Sequence, residues 1–179
     1  MGSTPSVGAS FEQDIAELGP HHFTKQELKR LWHRFYQLSN GDKFITRRQL
    51  ESIPELQLNP LSTRIAELFV DQADGESISF QAFIRNLSLF HYQTNLDDKL
   101  HFLFRVYDRD NDGKVTEDEL YLILQQCVGS NIEDAQLKLL VQGTMFDADK
   151  NGDKNLSYDE FKSCVERNPG IKDKLTVKF

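Results

Sequence analysis

The sequence predicts an all-α protein of four helix–loop–helix units, grouped as two lobes with short paired β contacts between loops. Three observations carry this. Residues 108–119 and 149–160 each place oxygen-bearing side chains at a fixed spacing between two helical patterns. Two stretches upstream repeat the same frame with most of those side chains replaced. In every copy an apolar residue (Ile45, Ile78, Val115, Leu156) falls at the corresponding loop position, where paired loops make their strand-like contact.

Taken in order, residues 1–20 read as a flexible N-terminal segment, 21–90 as a first, metal-free pair of units, and 91–98 as a polar linker. Residues 99–168 read as a second pair and 169–179 as a tail. The first helix is expected over Glu27 to Leu38, where Leu28, Leu31, Trp32, Phe35 and Leu38 share one face. Thr24 and Glu27 give it a capping-box start. Pro54 and Pro60 bracket the turn into the second unit, whose helices are expected over Leu61 to Phe69 and Ile78 to Phe90. Leu100, Leu103, Phe104 and Tyr107 lead into the third loop, and Leu120, Leu122, Ile123 and Leu124 lead out of it. Ile132 to Phe146 and Tyr158 to Arg167 flank the fourth, with Asn168-Pro169-Gly170 as the stop.

The loop chemistry is legible residue by residue. Asp108, Asp110 and Asp112, the Lys114 carbonyl, Thr116 and Glu119 occupy positions 1, 3, 5, 7, 9 and 12 around Gly113, which is the ligand pattern of an EF-hand calcium loop. In the fourth loop a start at Asp147 would put Tyr158 at position 12 and fails. A start at Asp149 gives Asn151, Asp153, the Asn155 carbonyl, Ser157 and Glu160 as the remaining ligands. Lys154 stands there where glycine is usual, and a left-handed non-glycine residue costs about 1–2 kcal/mol. With one ligand carboxylate fewer as well, this loop is expected to bind more weakly. Two calcium ions are therefore expected, both in the second pair. Upstream, the first loop is one residue short, begins on Ser39 and ends on neutral Gln49. The second offers Ala73, Gly75 and Ala82 at positions 3, 5 and 12. Neither supplies an oxygen shell.

Composition excludes several classes. A net charge of −7 over 179 residues disfavours nucleic acid as a partner. The two cysteines, Cys127 and Cys164, lack metal spacing and read as free thiols in a reducing, cytoplasmic setting. There is no apolar run of membrane-spanning length and no signal peptide. The histidines form no ligand pattern, and no nucleophile, phosphate loop or paired catalytic carboxylate stands out, so an enzyme is not expected. Met1-Gly2-Ser3-Thr4-Pro5-Ser6 fits the N-myristoylation pattern, with Gly2 as the acyl acceptor. A lone acyl chain without a basic partner gives marginal, reversible membrane contact. Thirteen phenylalanines and two methionines favour a groove for a dedicated partner helix over a promiscuous methionine-rich surface.

Several segments carry a family resemblance. Ser52-Ile53-Pro54, Asn59-Pro60-Leu61, Ile78-Ser79-Phe80-Gln81-Ala82-Phe83, Lys99 through Asp108 and Val128-Gly129-Ser130-Asn131, together with the loops and Gly2, resemble the calcineurin B family over nearly the whole chain. The resemblance implies a regulatory subunit that grips an amphipathic helix of a serine/threonine phosphatase catalytic chain and makes it calcium-sensitive. The degenerate first pair also resembles calcineurin B homologous proteins and calcium- and integrin-binding proteins, and the tail ending at Phe179 is similar to that of the second group. An adaptor for a transporter or receptor tail, or a plain calcium buffer, therefore stands beside the regulatory reading.

Overall fold

Each helix leading out of a loop starts on a hydroxyl residue, and that one device recurs at Thr46, Ser79, Thr116 and Ser157. Each hydroxyl accepts from the backbone N–H three residues on, which satisfies a donor the helix itself cannot; losing such a cap costs about 1 kcal/mol. At Thr46, Thr116 and Ser157 a Gln or Glu side chain reaches back to the cap's own N–H and closes a capping box. Ala82 removes that return bond at Ser79.

The computed structural model describes residues 7–167 and falls into two units that divide between Thr94 and Asn95. The first contains α1 (Val7–Ala16), α2 (Lys25–Leu38), β1 (Phe44–Thr46), α3 (Arg47–Glu51), α4 (Pro54–Gln57), α5 (Ser62–Phe69), β2 (Ser77–Ser79) and α6 (Phe80–Leu89). Strands β1 and β2 pair antiparallel with Ile45 opposite Ile78, and both side chains are wholly buried. Around them Phe35, Phe69, Phe83 and Leu50 fill the core; the Phe35 ring meets Phe80 edge-on at 5.4 Å. This is an all-α fold in which each pair of loops shares one short antiparallel contact.

The second unit contains α7 (Leu96–Tyr107), β3 (Val115–Thr116), α8 (Glu117–Val128), a 3₁₀ turn at Gly129–Asn131, α9 (Asp134–Ala148), β4 (Asn155–Leu156) and α10 (Tyr158–Glu166). Val115 faces Leu156 across the antiparallel β3–β4 pair. Both join Leu100, Phe104, Leu120, Leu137, Val141, Met145 and Phe161 in one core. Phe104 and Phe161 meet edge-on at 5.3 Å.

One expectation is corrected. Residues 1–20 read as flexible in the sequence, yet Val7–Ala16 is helical and docked: Phe11 is buried edge-on against Trp32 at 5.8 Å. The Asp14 carboxylate accepts from the Trp32 indole N–H at 2.7 Å and from the Tyr36 hydroxyl at 3.2 Å. Those two ring donors need an acceptor when they leave water, and α1 supplies it. The expected linker at 91–98 does contain the division between the two units, and it is itself ordered, with residues 96–98 already in α7. His91 and Thr94 are buried, the Thr94 hydroxyl donates to the Ser88 carbonyl, and Asn95 caps α7 by accepting from Asp98 N–H at 2.8 Å. The Gly2 signal, the Asn168-Pro169-Gly170 stop and the 169–179 tail lie outside the described residues.

Trp32 is the sole tryptophan, so the docking of α1 has its own reporter. Asp14→Ala should destabilise the first unit by about 1–3 kcal/mol, the cost of an orphaned buried donor, and should increase acrylamide quenching of Trp32 fluorescence. Unchanged quenching would mean that Asp14 does not hold the helix.

Candidate metal centre

Helix α7 ends at Tyr107, and Asp108 N–H still donates to the Phe104 carbonyl, so the first carboxylate of the third loop is set by the helix itself. Left-handed backbone at Asn111 (φ 59°) and Gly113 (φ 86°) then folds the chain back over it. The turn aims backbone N–H groups at the acids. Asp108 accepts from Asp112 and Gly113 N–H, each at 3.1 Å, Asp110 from Asp112 N–H at 3.1 Å, and Asp112 from Lys114 N–H at 2.9 Å. Glu119, fixed in the first turn of α8, accepts from Arg109 N–H at 2.7 Å with one oxygen. Its other oxygen accepts from the N–H and hydroxyl of Thr116, both at 2.9 Å.

These bonds bring one oxygen each of Asp108, Asp110 and Asp112 within 4.8 Å of one another. So many anions together are unfavourable. Burial, with the neighbouring Glu119 charge, pushes the Asp108 carboxyl above the usual carboxylate range despite its amide donors. Burial also works against ionised Glu119, but the donors from Thr116, Arg109 and Asp110 outweigh it and hold that carboxyl below its ordinary value. A cluster of hard oxygens whose mutual repulsion is only partly offset by amides suits a hard divalent cation, calcium or magnesium, better than a soft metal.

The fourth loop repeats this wiring. Asp149 accepts from Gly152 N–H at 2.7 Å and Lys154 N–H at 2.8 Å, Asn151 from Asp153 N–H at 2.7 Å, and Asp153 from Asn155 N–H at 2.9 Å. Glu160 takes Lys150 N–H at 3.0 Å on one oxygen and the Ser157 N–H and hydroxyl, at 2.9 and 2.6 Å, on the other. The Ser157 hydroxyl and amide, with the loop amides, lower its pKa to about 2. Lys154 stands at φ 63°, the left-handed backbone that the missing glycine implies. Sequence reasoning overlooked that Gly152, two residues earlier, is left-handed too (φ 77°). The loop carries its glycine at the other of its two left-handed positions.

The first unit closes its loops by other means. In the second loop Asp71 and Ser79, which would both face an ion, bond each other: Asp71 accepts from Ser79 N–H at 2.9 Å and from its hydroxyl at 2.5 Å. Asp74 takes the Ser77 hydroxyl at 2.6 Å, and that bond with the Glu76 and Ser77 amides holds its carboxyl below the usual range. Across the pair Arg47 grips Glu76 through two nitrogens, at 2.5 and 3.2 Å. Gln49 completes the Thr46 capping box at 2.7 Å without adding a charge. In the second loop the Ser79 hydroxyl thus engages the carboxylate of the loop's first position.

An EF-hand domain pair family matches residues 97–165, which contain the third and fourth loops. Over its whole length the chain is 37% identical to the calcineurin B protein of Naegleria gruberi, in an alignment of 180 residues covering 100% of each protein. It is 38% identical to that of Candida glabrata over 100% of this chain and 99% of the relative. It is 40% identical to that of Kluyveromyces lactis over 81% and 83% respectively.

The Glu160 carboxyl has a folded pKa of about 2 against an ordinary 4.5, so it contributes stability that is present above pH 4.5 and is lost as pH falls towards 2. In chelator, denaturation of the wild type should show this acid-side loss, and Glu160→Gln should flatten it. An equally steep acid limb in the variant would contradict the assignment.

Proposed function

The chain belongs to the calcineurin B family, and from that premise we propose that it is a calcium-binding regulatory subunit which holds an amphipathic helix of a calcineurin-type serine/threonine phosphatase catalytic chain. Full-length similarity to calcineurin B proteins supports this reading, together with one observation: Asp108, Asp110 and Asp112 of the third loop converge under backbone donors, while Asp71 and Glu76 of the first unit are bonded to its own side chains. The chain's role is regulatory and not catalytic.

Two calcium ions are assigned to the second unit. Asp108, Asp110, Asp112, the Lys114 carbonyl, Thr116 and Glu119 would hold one. Asp149, Asn151, Asp153, the Asn155 carbonyl, Ser157 and Glu160 would hold the other. Calcium supplies charge neutralisation at these loops; the caps at Thr116 and Ser157 tie that charge to the start of α8 and α10. The third loop, with four ligand carboxylates against three, is the tighter site. The first unit needs no metal to stay closed and acts as a constant grip, so calcium modulates the second unit alone.

The second unit leaves apolar side chains in solvent: Phe146 is 86% exposed and Leu139 69%, both on α9. Large exposed apolar groups of this kind suit a helix-in-groove partner. Gly2 is proposed as a myristoylation site that adds reversible membrane contact, with stable placement left to the partner. Among the described residues no helix is long and apolar enough to cross a membrane.

Affinity purification of the full chain from its own cells, with calcium and with chelator, tests the proposal. A phosphatase catalytic chain should co-purify under both conditions, and Asp108→Ala should leave it bound while calcium activation is lost. Recovery of a transporter or receptor tail without a phosphatase would move the chain to the adaptor class. Complete dissociation in chelator would contradict the constant grip of the first unit.

A further inference from the structure

One cation crosses from the third loop to the fourth. Lys114 occupies position 7 of the third loop, and its ammonium lies 3.5 Å from Asp153 Oδ2 in the fourth, brought there by the β3–β4 pair. Asp153 Oδ1 already accepts from Asn155 N–H at 2.9 Å. The oxygen facing Lys114 is thus the one that the loop's own backbone leaves open.

The arrangement runs one way. Position 7 of the fourth loop is Asn155, whose side-chain amide turns to its own loop and donates to the Asp153 carbonyl at 3.0 Å. Among the described residues no lysine or arginine pairs with Asp112, the position-5 acid of the third loop. The fourth loop also carries Lys150 and Lys154 within its own sequence, against ligand carboxylates from Asp149, Asp153 and Glu160 only. The third loop likewise has two basic residues, Arg109 and Lys114, so what sets the fourth apart is one ligand carboxylate fewer and the Lys114 ammonium added across the pair.

We propose that the Lys114 side chain is a cross-loop determinant of affinity: a built-in monovalent counter-charge on Asp153 that an incoming divalent cation must displace or tolerate. The proposal rests on reading both loops as calcium sites. An exposed ion pair adds little to folding stability. A divalent ion on the same carboxylate, however, meets the ammonium at close range with twice the charge of a proton or sodium ion. Lys114 then separates the two sites in affinity through a residue whose carbonyl serves one loop and whose ammonium opposes the other. The separation narrows as salt screens the pair.

Gly113 and Gly152 give each loop its own backbone reporter. In the full-length protein labelled with ¹⁵N-glycine, calcium is titrated while the two amide resonances are followed. Replacing Lys114 by Met keeps the carbonyl and removes the charge; Lys114→Arg keeps both. For Lys114→Met the Gly152 midpoint should move to lower calcium by about twofold to fivefold at low salt and by less at high salt, while Lys114→Arg should stay near wild type. A Gly152 midpoint that is unchanged, or moves to higher calcium, in Lys114→Met would overturn the proposal with the calcium sites intact. A Gly152 amide that ignores calcium in all three folded proteins would instead overturn the reading of the fourth loop as a site, and the proposal with it.

Discussion

A short loop that gathers carboxylates around one point must offset their repulsion, and the rest of the structure follows from how each loop does so. In the second unit, backbone N–H groups carry part of the load and leave oxygens converging at Asp108, Asp110 and Asp112. In the first unit the acids are fewer, and hydroxyls and a guanidinium join the backbone amides on them: Ser79 on Asp71, Ser77 on Asp74, Arg47 on Glu76. Both solutions sit on the same antiparallel loop pair and the same hydroxyl-capped exit helices. On the proposed reading, chemistry at the loop centre is what separates a unit that answers a cation from one that does not.

That division gives the proposed regulatory role its physical content. A ligand shifts a conformational equilibrium only by binding its states differently, so a unit closed by its own side chains contributes a fixed affinity for a partner. In the proposed role the second unit would respond because its acids are incompletely compensated: one loop carboxyl is pushed up by burial and a neighbouring charge, and another is held down by its donors. Glu119 and Glu160 each close a loop and open a helix at once, accepting from the loop amides with one oxygen and from the helix cap with the other. Any change in charge at the loop therefore reaches the first turn of α8 or α10 directly.

Local chemistry was legible in the sequence and long-range packing was not. Loop spacing, the apolar positions at Ile45, Ile78, Val115 and Leu156, and the Thr24–Glu27 capping box depend on residues a few positions apart, and each stands in the structure as its side chains imply. The docking of α1 depends on Asp14 meeting Trp32 and Tyr36, about one helix later in the chain. The only local hint was the Phe11–Ile15 spacing on one helical face. The span around His91 reads as a linker from its polar residues, and the units divide within it; what composition did not show is that Thr94 satisfies a carbonyl of α6 and Asn95 starts α7. An Asn followed three residues later by Asp was the available signal. In the fourth loop, attention to the absent glycine at Lys154 hid the one present at Gly152, because two left-handed positions exist and either tolerates glycine.

The central claim is that one unit is closed by its own side chains and the other depends on calcium, and amide hydrogen exchange in calcium and in chelator tests it most directly. The account predicts that peptides covering Ile45 and Ile78 keep the same protection in both conditions, while those covering Val115 and Leu156 lose protection when calcium is removed. Loss of protection in both pairs, or in neither, would contradict it.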